Sequence, residues 1–173
     1  VETFDDLYLM LAMAIALVYL IMVAQFQSLL SPFIVMFTIP LAFTGGFLGL
    51  IITGNPISIV AFLGLIILTG MVVNNGIVFV DYFNLLRREG MNKREAIIKA
   101  GTVRLRPILM TALTTIIALS TTSLGVGSGT EVIQPMAITA IGGLTYATFL
   151  TLVVIPVLCD LFFKKDTPVQ GEV

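Results

Sequence analysis

The chain has 173 residues, 58% of them hydrophobic and 11% charged, with no Trp, no His and a formal net charge of −1. A soluble domain carries about 25% charged residues, so charge this scarce excludes an ordinary soluble protein and points to a membrane protein. The single cysteine, Cys159, excludes an internal disulfide and a thiolate metal cluster, and reads as apolar filler.

A helix rising 1.5 Å per residue needs about 20 apolar residues to cross a hydrocarbon core about 30 Å thick. Five runs meet that length and predict an all-α, polytopic membrane helix bundle over residues 1–165, with five transmembrane helices. The first, about Leu7 to Ala24, follows Glu2, Asp5 and Asp6 and has no basic start, which argues against a cleaved signal peptide. The chain opens at Val1 rather than Met, so a piece of a longer protein is expected.

The second span, about Pro32 to Ile52, holds Gly45, Gly46 and Gly49. Gly45 and Gly49 have the G-x-x-x-G spacing that lets helix backbones approach closely in lipid. Pro40 removes a backbone hydrogen bond and predicts a bend. The third span, about Ile57 to Val80, runs into "MVVNNGIVFVDY" (71–82) and carries Asn74 and Asn75 about two-thirds of the way along. An unpaired amide in hydrocarbon costs several kcal/mol, so both need protein or trapped water. The two side chains stand about 100° apart, and Asn74 shares its face with Gly70 and Asp81.

Residues 84–106 read as a loop rich in Arg87, Arg88, Lys93, Arg94, Lys99, Arg104 and Arg106. Within it "NKREAIIKAG" predicts a short amphipathic helix on the cytoplasmic membrane surface. Asn92 would cap it, Glu95 complete a capping box, Gly101 end it, and Ala96, Ile97 and Ala100 share one face. The basic residues favour anionic lipid headgroups, so membrane lipid is an expected partner and nucleic acid is not.

The fourth span, about Pro107 to Leu124, presents a hydroxyl stripe of Thr111, Thr115, Ala118 and Thr122, with Thr114 beside it. "GVGSG" (125–129) lacks the spacing of a nucleotide-binding loop and reads as a flexible turn. The fifth span, about Val132 to Phe163, is interrupted by Gly142 and Gly143, and Pro156 predicts a further bend. Lys164, Lys165 and a tail over 166–173 follow. With five crossings all nine Lys and Arg fall on one side, and the positive-inside rule makes that side, with the long loop and the C-terminus, cytoplasmic.

The residue types leave two readings of the polar positions open. Asn and Thr act as glue between helices, at about 0.6 to 2 kcal/mol per contact, in a membrane scaffold that transports nothing; or they line a path for water, protons or a small cation. An enzyme is disfavoured: there is no His, no Cys pair and no inward-facing carboxylate dyad to hydrolyse a substrate or hold a metal.

Three stretches resemble the last five membrane helices of the resistance-nodulation-division (RND) exporters, in the hydrophobe/amphiphile multidrug efflux branch. They are "GMVVNNGIVFVDY", "RREGMNKREAIIKAGTVRLRPILMTALTT" and "PMAITAIGGLTYATFLTLVVIPVL", and the likeness runs over nearly the whole chain. The resemblance implies part of a twelve-helix transporter of the bacterial inner membrane, built of two six-helix halves with extracytoplasmic porter domains. It further implies a homotrimer, a periplasmic adaptor and an outer-membrane channel as partners, and export of amphiphilic small molecules driven by protons, with no cofactor. By position it places Arg104 and Thr111 in the proton relay and Asn74 with Asn75 where many members have a Lys-Asn pair. Asn74 departs from that pattern, because an amide cannot neutralise the carboxylates of the other half. This keeps open a transporter coupled to sodium, or one exporting lipid or another substrate.

Overall fold

A helix pairs its main-chain polar groups internally, which is why long apolar runs meant for hydrocarbon take this form. The computed structural model describes residues 2–125, 127 and 129–163, and of 2–4 only the backbone. Lys164, Lys165, the tail 166–173, and Val126 and Ser128 of the expected turn lie outside the described residues. Among those described, the chain forms α1 (Glu2–Phe26), α2 (Leu30–Met36), α3 (Thr38–Thr53), α4 (Ile59–Arg88), α5 (Lys93–Ser123) and α6 (Thr130–Phe162). With α2 and α3 taken together, five stretches are long and apolar enough to cross a membrane.

The loop expected over 84–106 is mostly helix. Charge marks where the apolar stretch ends, not where the helix ends: α4 continues to Arg88 and α5 starts at Lys93. The chain turns at Gly90, whose φ of 86° suits a residue without a side chain. The N–H groups of Gly90 and Met91 return to Arg87 O and Leu86 O, both at 3.1 Å. The segment 92–101 is not a separate helix but the opening turns of α5, and Gly101 does not end it. A glycine inside a helix costs only about 1 kcal/mol, too little to stop a helix packed on its neighbours. Asn92 holds the N-cap position without a side-chain cap bond. Ala96 and Ala100 are fully buried in a cluster with Phe79, Phe83, Leu86, Ile108 and Cys159.

Pro40 does more than bend its span. Lacking an N–H, it cannot bond Met36 O, and the helix breaks at Phe37 into α2 and α3. The Thr38 hydroxyl donates to Val35 O at 2.6 Å, which helps satisfy the interrupted turn. Pro107, Pro135 and Pro156 by contrast lie inside continuous helices.

Where α3 packs on α6, backbone meets backbone. A Cβ on Gly142 would stand 2.9 Å from Gly45 O and 3.0 Å from Gly49 Cα, and one on Gly143 would stand 2.9 Å from Ala42 O. The fit therefore depends on glycine on both helices, where shallow grooves allow dispersion contacts that lipid chains cannot replace. Beside α3 on α6 lies α4, 56% of whose most apolar stretch is buried, against 11% for α5 and 17% for α1. Leu65, Leu68 and Val72 of α4 pack with Leu144 and Ala147 of α6 and Ala42 of α3.

Polar ties close both ends of the α5/α6 pair. Lys93 Nζ stands 3.0 Å from Asp160 Oδ1. It also donates to Asp160 O at 2.6 Å and Phe163 O at 3.1 Å, where the last carbonyls of α6 need donors. At the other end Gln134 Nε2 donates to Ser123 O at 2.8 Å.

Gly142→Val should lower the stability of the full-length protein in detergent by about 1–3 kcal/mol, because the backbone atoms it meets cannot yield. Gly101→Ala, with nothing within 4 Å of its Cβ, should leave stability unchanged or raise it slightly. Thermal unfolding of the two variants checks the contrast.

Candidate functional site

Helices α4 and α5 run antiparallel, and each presents polar residues at seven-residue spacing. On α4, Asn75 is followed by Tyr82; on α5, Arg104 is followed by Thr111. Seven residues are nearly two turns, so each pair lies on one face of its helix, about 10.5 Å apart. The antiparallel packing turns this into two rungs, Asn75 with Thr111 and Tyr82 with Arg104.

Asn75 is buried, 7% exposed, while Asn74 and Thr111 are exposed. The Thr111 hydroxyl lies 3.5 Å from Asn75 Oδ1 and 3.0 Å from Ile108 O, so its proton belongs to the nearer carbonyl in its own helix. No described residue hydrogen-bonds the Asn74 amide. Met71, Asn74, Asn75, Thr111, Ala112, Thr115 and Leu144 line a half-open pocket of about 110 Å³. This is room for about three waters, beside groups able to hold them.

Two neighbouring hydroxyls of the stripe behave like Thr111. Thr114 donates to Met110 O at 2.7 Å and Thr115 to Thr111 O at 2.8 Å. A hydroxyl that gives its proton to its own helix turns its lone pairs outward. The stripe is consequently an acceptor surface, suited to water, a protonated carrier or a small cation.

At the second rung the Arg104 guanidinium lies over the Tyr82 ring, 4.6 Å from its centroid. Its Nε is buried with no hydrogen-bond partner. The one salt bridge among the described residues is Lys93–Asp160, so Asp81, exposed beside Tyr82, does not neutralise Arg104. Arg104 thus stands within a helix at the groove rather than in a loop.

Asn74, Asn75 and Thr111 line one pocket between α4 and α5, and Arg104 lies two turns along α5 from Thr111, against Tyr82 of α4. Gly45, Gly49, Gly142 and Gly143 lie apart from these, at the α3/α6 contact. Tyr82 is not conspicuous in the sequence; its signal is the seven-residue step from Asn75, matched by the step from Arg104 to Thr111.

A model of the AcrB/AcrD/AcrF family matches residues 2–163. The chain is 41% identical to the swarming motility protein SwrC of Bacillus subtilis over 174 residues, covering 99% of this chain and 16% of that protein. It is 39% identical to the cobalt-zinc-cadmium resistance protein CzcA of Cupriavidus metallidurans, covering 92% of this chain and 15% of that protein. Against the multidrug resistance protein MdtC of Erwinia tasmaniensis the identity is 40%, covering 89% and 15%. The crystal structure of a heavy metal efflux pump superposes with a TM-score of 0.80 at 32% identity, over 90% of this chain and 15% of that one. The chain thus spans 15–16% of the length of these relatives.

Because the Thr111 proton is satisfied within α5, Thr111→Val should cost the full-length protein less than about 1 kcal/mol. Asn74→Leu should leave thermal stability in detergent unchanged. Losses above about 2 kcal/mol in both would mark these groups as helix glue.

Proposed function

Because the chain belongs to the AcrB/AcrD/AcrF family of RND exporters, we propose that it forms part of the membrane domain of a proton-driven efflux transporter and carries one wall of its coupling path. The observation that supports this is the open polar face of α4 and α5. In a chain this apolar, no described residue hydrogen-bonds the Asn74 amide and no described carboxylate neutralises Arg104. Polar and ionisable groups at membrane depth pair with one another or line a pathway. The missing partners belong to the rest of the transporter, which supplies the other half, the porter domains and the trimer contacts. The assembly is a multi-pass protein of the bacterial inner membrane, with the basic ends of α4 and α5, and the C-terminus, cytoplasmic. It works with an adaptor and an outer-membrane channel.

In this reading a carboxylate of the other half faces the groove and alternates between ionised and protonated states. Asn74 and Asn75 offer N–H donors to the ionised form, Arg104 supplies the positive charge that an amide cannot, and the threonine oxygens with cavity water carry the proton. The cycle is secondary active transport rather than bond-making catalysis.

The cargo is drugs or other amphiphiles. Metal ions are a second reading, favoured by the near-equal identity to CzcA and MdtC. Sodium as the coupling ion is favoured by the oxygen-lined cavity and by the missing charge at Asn74.

The full-length transporter, expressed in efflux-deficient cells, should export ethidium or cobalt. Thr111→Val and Arg104→Gln should lower that export at least tenfold at equal expression. A protonophore should abolish export while removal of sodium leaves it unchanged; the reverse outcome assigns sodium. Full export by both variants would return the polar face to helix glue.

A further inference from the structure

Arg104 carries charge into the groove, and what holds it there is an aromatic face. Its Nε is buried without a hydrogen-bond partner, and its Cζ lies 4.6 Å from the centroid of the Tyr82 ring. A guanidinium on a long stem otherwise turns toward water and headgroups, which lie nearest at the basic end where α5 begins. Tyr82 is placed to prevent this. It stands on the opposite helix, seven residues beyond Asn75, as Arg104 stands seven residues before Thr111.

We infer that Tyr82 is the positioning residue of the coupling site, holding the Arg104 guanidinium by its ring face at a fixed height, two helical turns from the Asn75–Thr111 rung. The inference rests on the coupling role proposed for Arg104. The chemistry explains why a ring stands here rather than a carboxylate. An acid at this position would neutralise Arg104 and occupy its N–H edge. A ring attracts the cation through its quadrupole and leaves the charge and the in-plane donors available to an acceptor from the rest of the transporter. No described residue hydrogen-bonds the Tyr82 hydroxyl, so the attraction needs the ring alone.

The test uses the full-length transporter and its export of ethidium or cobalt. Tyr82→Phe should keep export within twofold, whereas Tyr82→Leu should lower it at least fivefold while the melting temperature in detergent stays within about two degrees. Phenylalanines at position 82 with one, two and three ring fluorines keep the shape but weaken the negative face, and should lower export stepwise. Export that ignores the fluorines, an equal loss in Phe and Leu, or a fall in stability that tracks the fall in export would each overturn the inference. Loss of export by Arg104→Gln without loss by Tyr82→Leu overturns this inference alone; full export by Arg104→Gln overturns the coupling role beneath it.

Discussion

The contact between the backbones of α3 and α6 fixes where everything else stands. Gly142 rests against Gly45 and Gly49, and Gly143 against the main chain at Ala42, closer than any side chain would allow. In hydrocarbon no water is released by association, so helices hold together through fit and dispersion, and a groove made by glycines on both sides is the tightest fit available. With α6 set on α3, its remaining faces receive α4 and α5, and α1 with α2 closes the side through Met22, Phe26, Ile34 and Val35.

That arrangement divides the molecule by polarity. The packed side is mostly apolar, and its buried hydroxyls, Thr38, Thr69, Thr139 and Thr148, each donate to a carbonyl three or four residues back. The side between α4 and α5 holds Asn74, Asn75, Thr111, Thr115 and Arg104, groups that a lipid tail serves poorly. The seam and the groove therefore use different residues, and the substitutions that loosen the α3/α6 seam are not the ones that change the groove.

Much of this was legible in the sequence. Apolar length gave the crossings, because a run of that kind has few alternatives to helix. The oddity of Asn74 and Asn75 pointed to the groove, because amides are rare in such a run. Helix ends were less legible: Arg88 and Lys93 mark the limit of the apolar stretch, while the backbone turns at Gly90, and Gly101, which looks like a terminus, is carried through by the burial of Ala96 and Ala100. Pro40 and Pro156 look alike in sequence, yet one breaks its helix and the other does not. The platform under Arg104 was hidden because it depends on the register of two antiparallel helices, which no single segment encodes.

The ties at the two ends of α5 have a mechanical meaning. Lys93 fastens one end to the close of α6, and Gln134 fastens the other near its start. A rod pinned at both ends does not tilt; under load it bows. The softest point for bowing is Pro107, which leaves Val103 O without its helical donor, and it lies between Arg104 and Thr111. Under the coupling role proposed for the groove, a change of charge there would act on the middle of a strung bow, and the string is already nicked at that place.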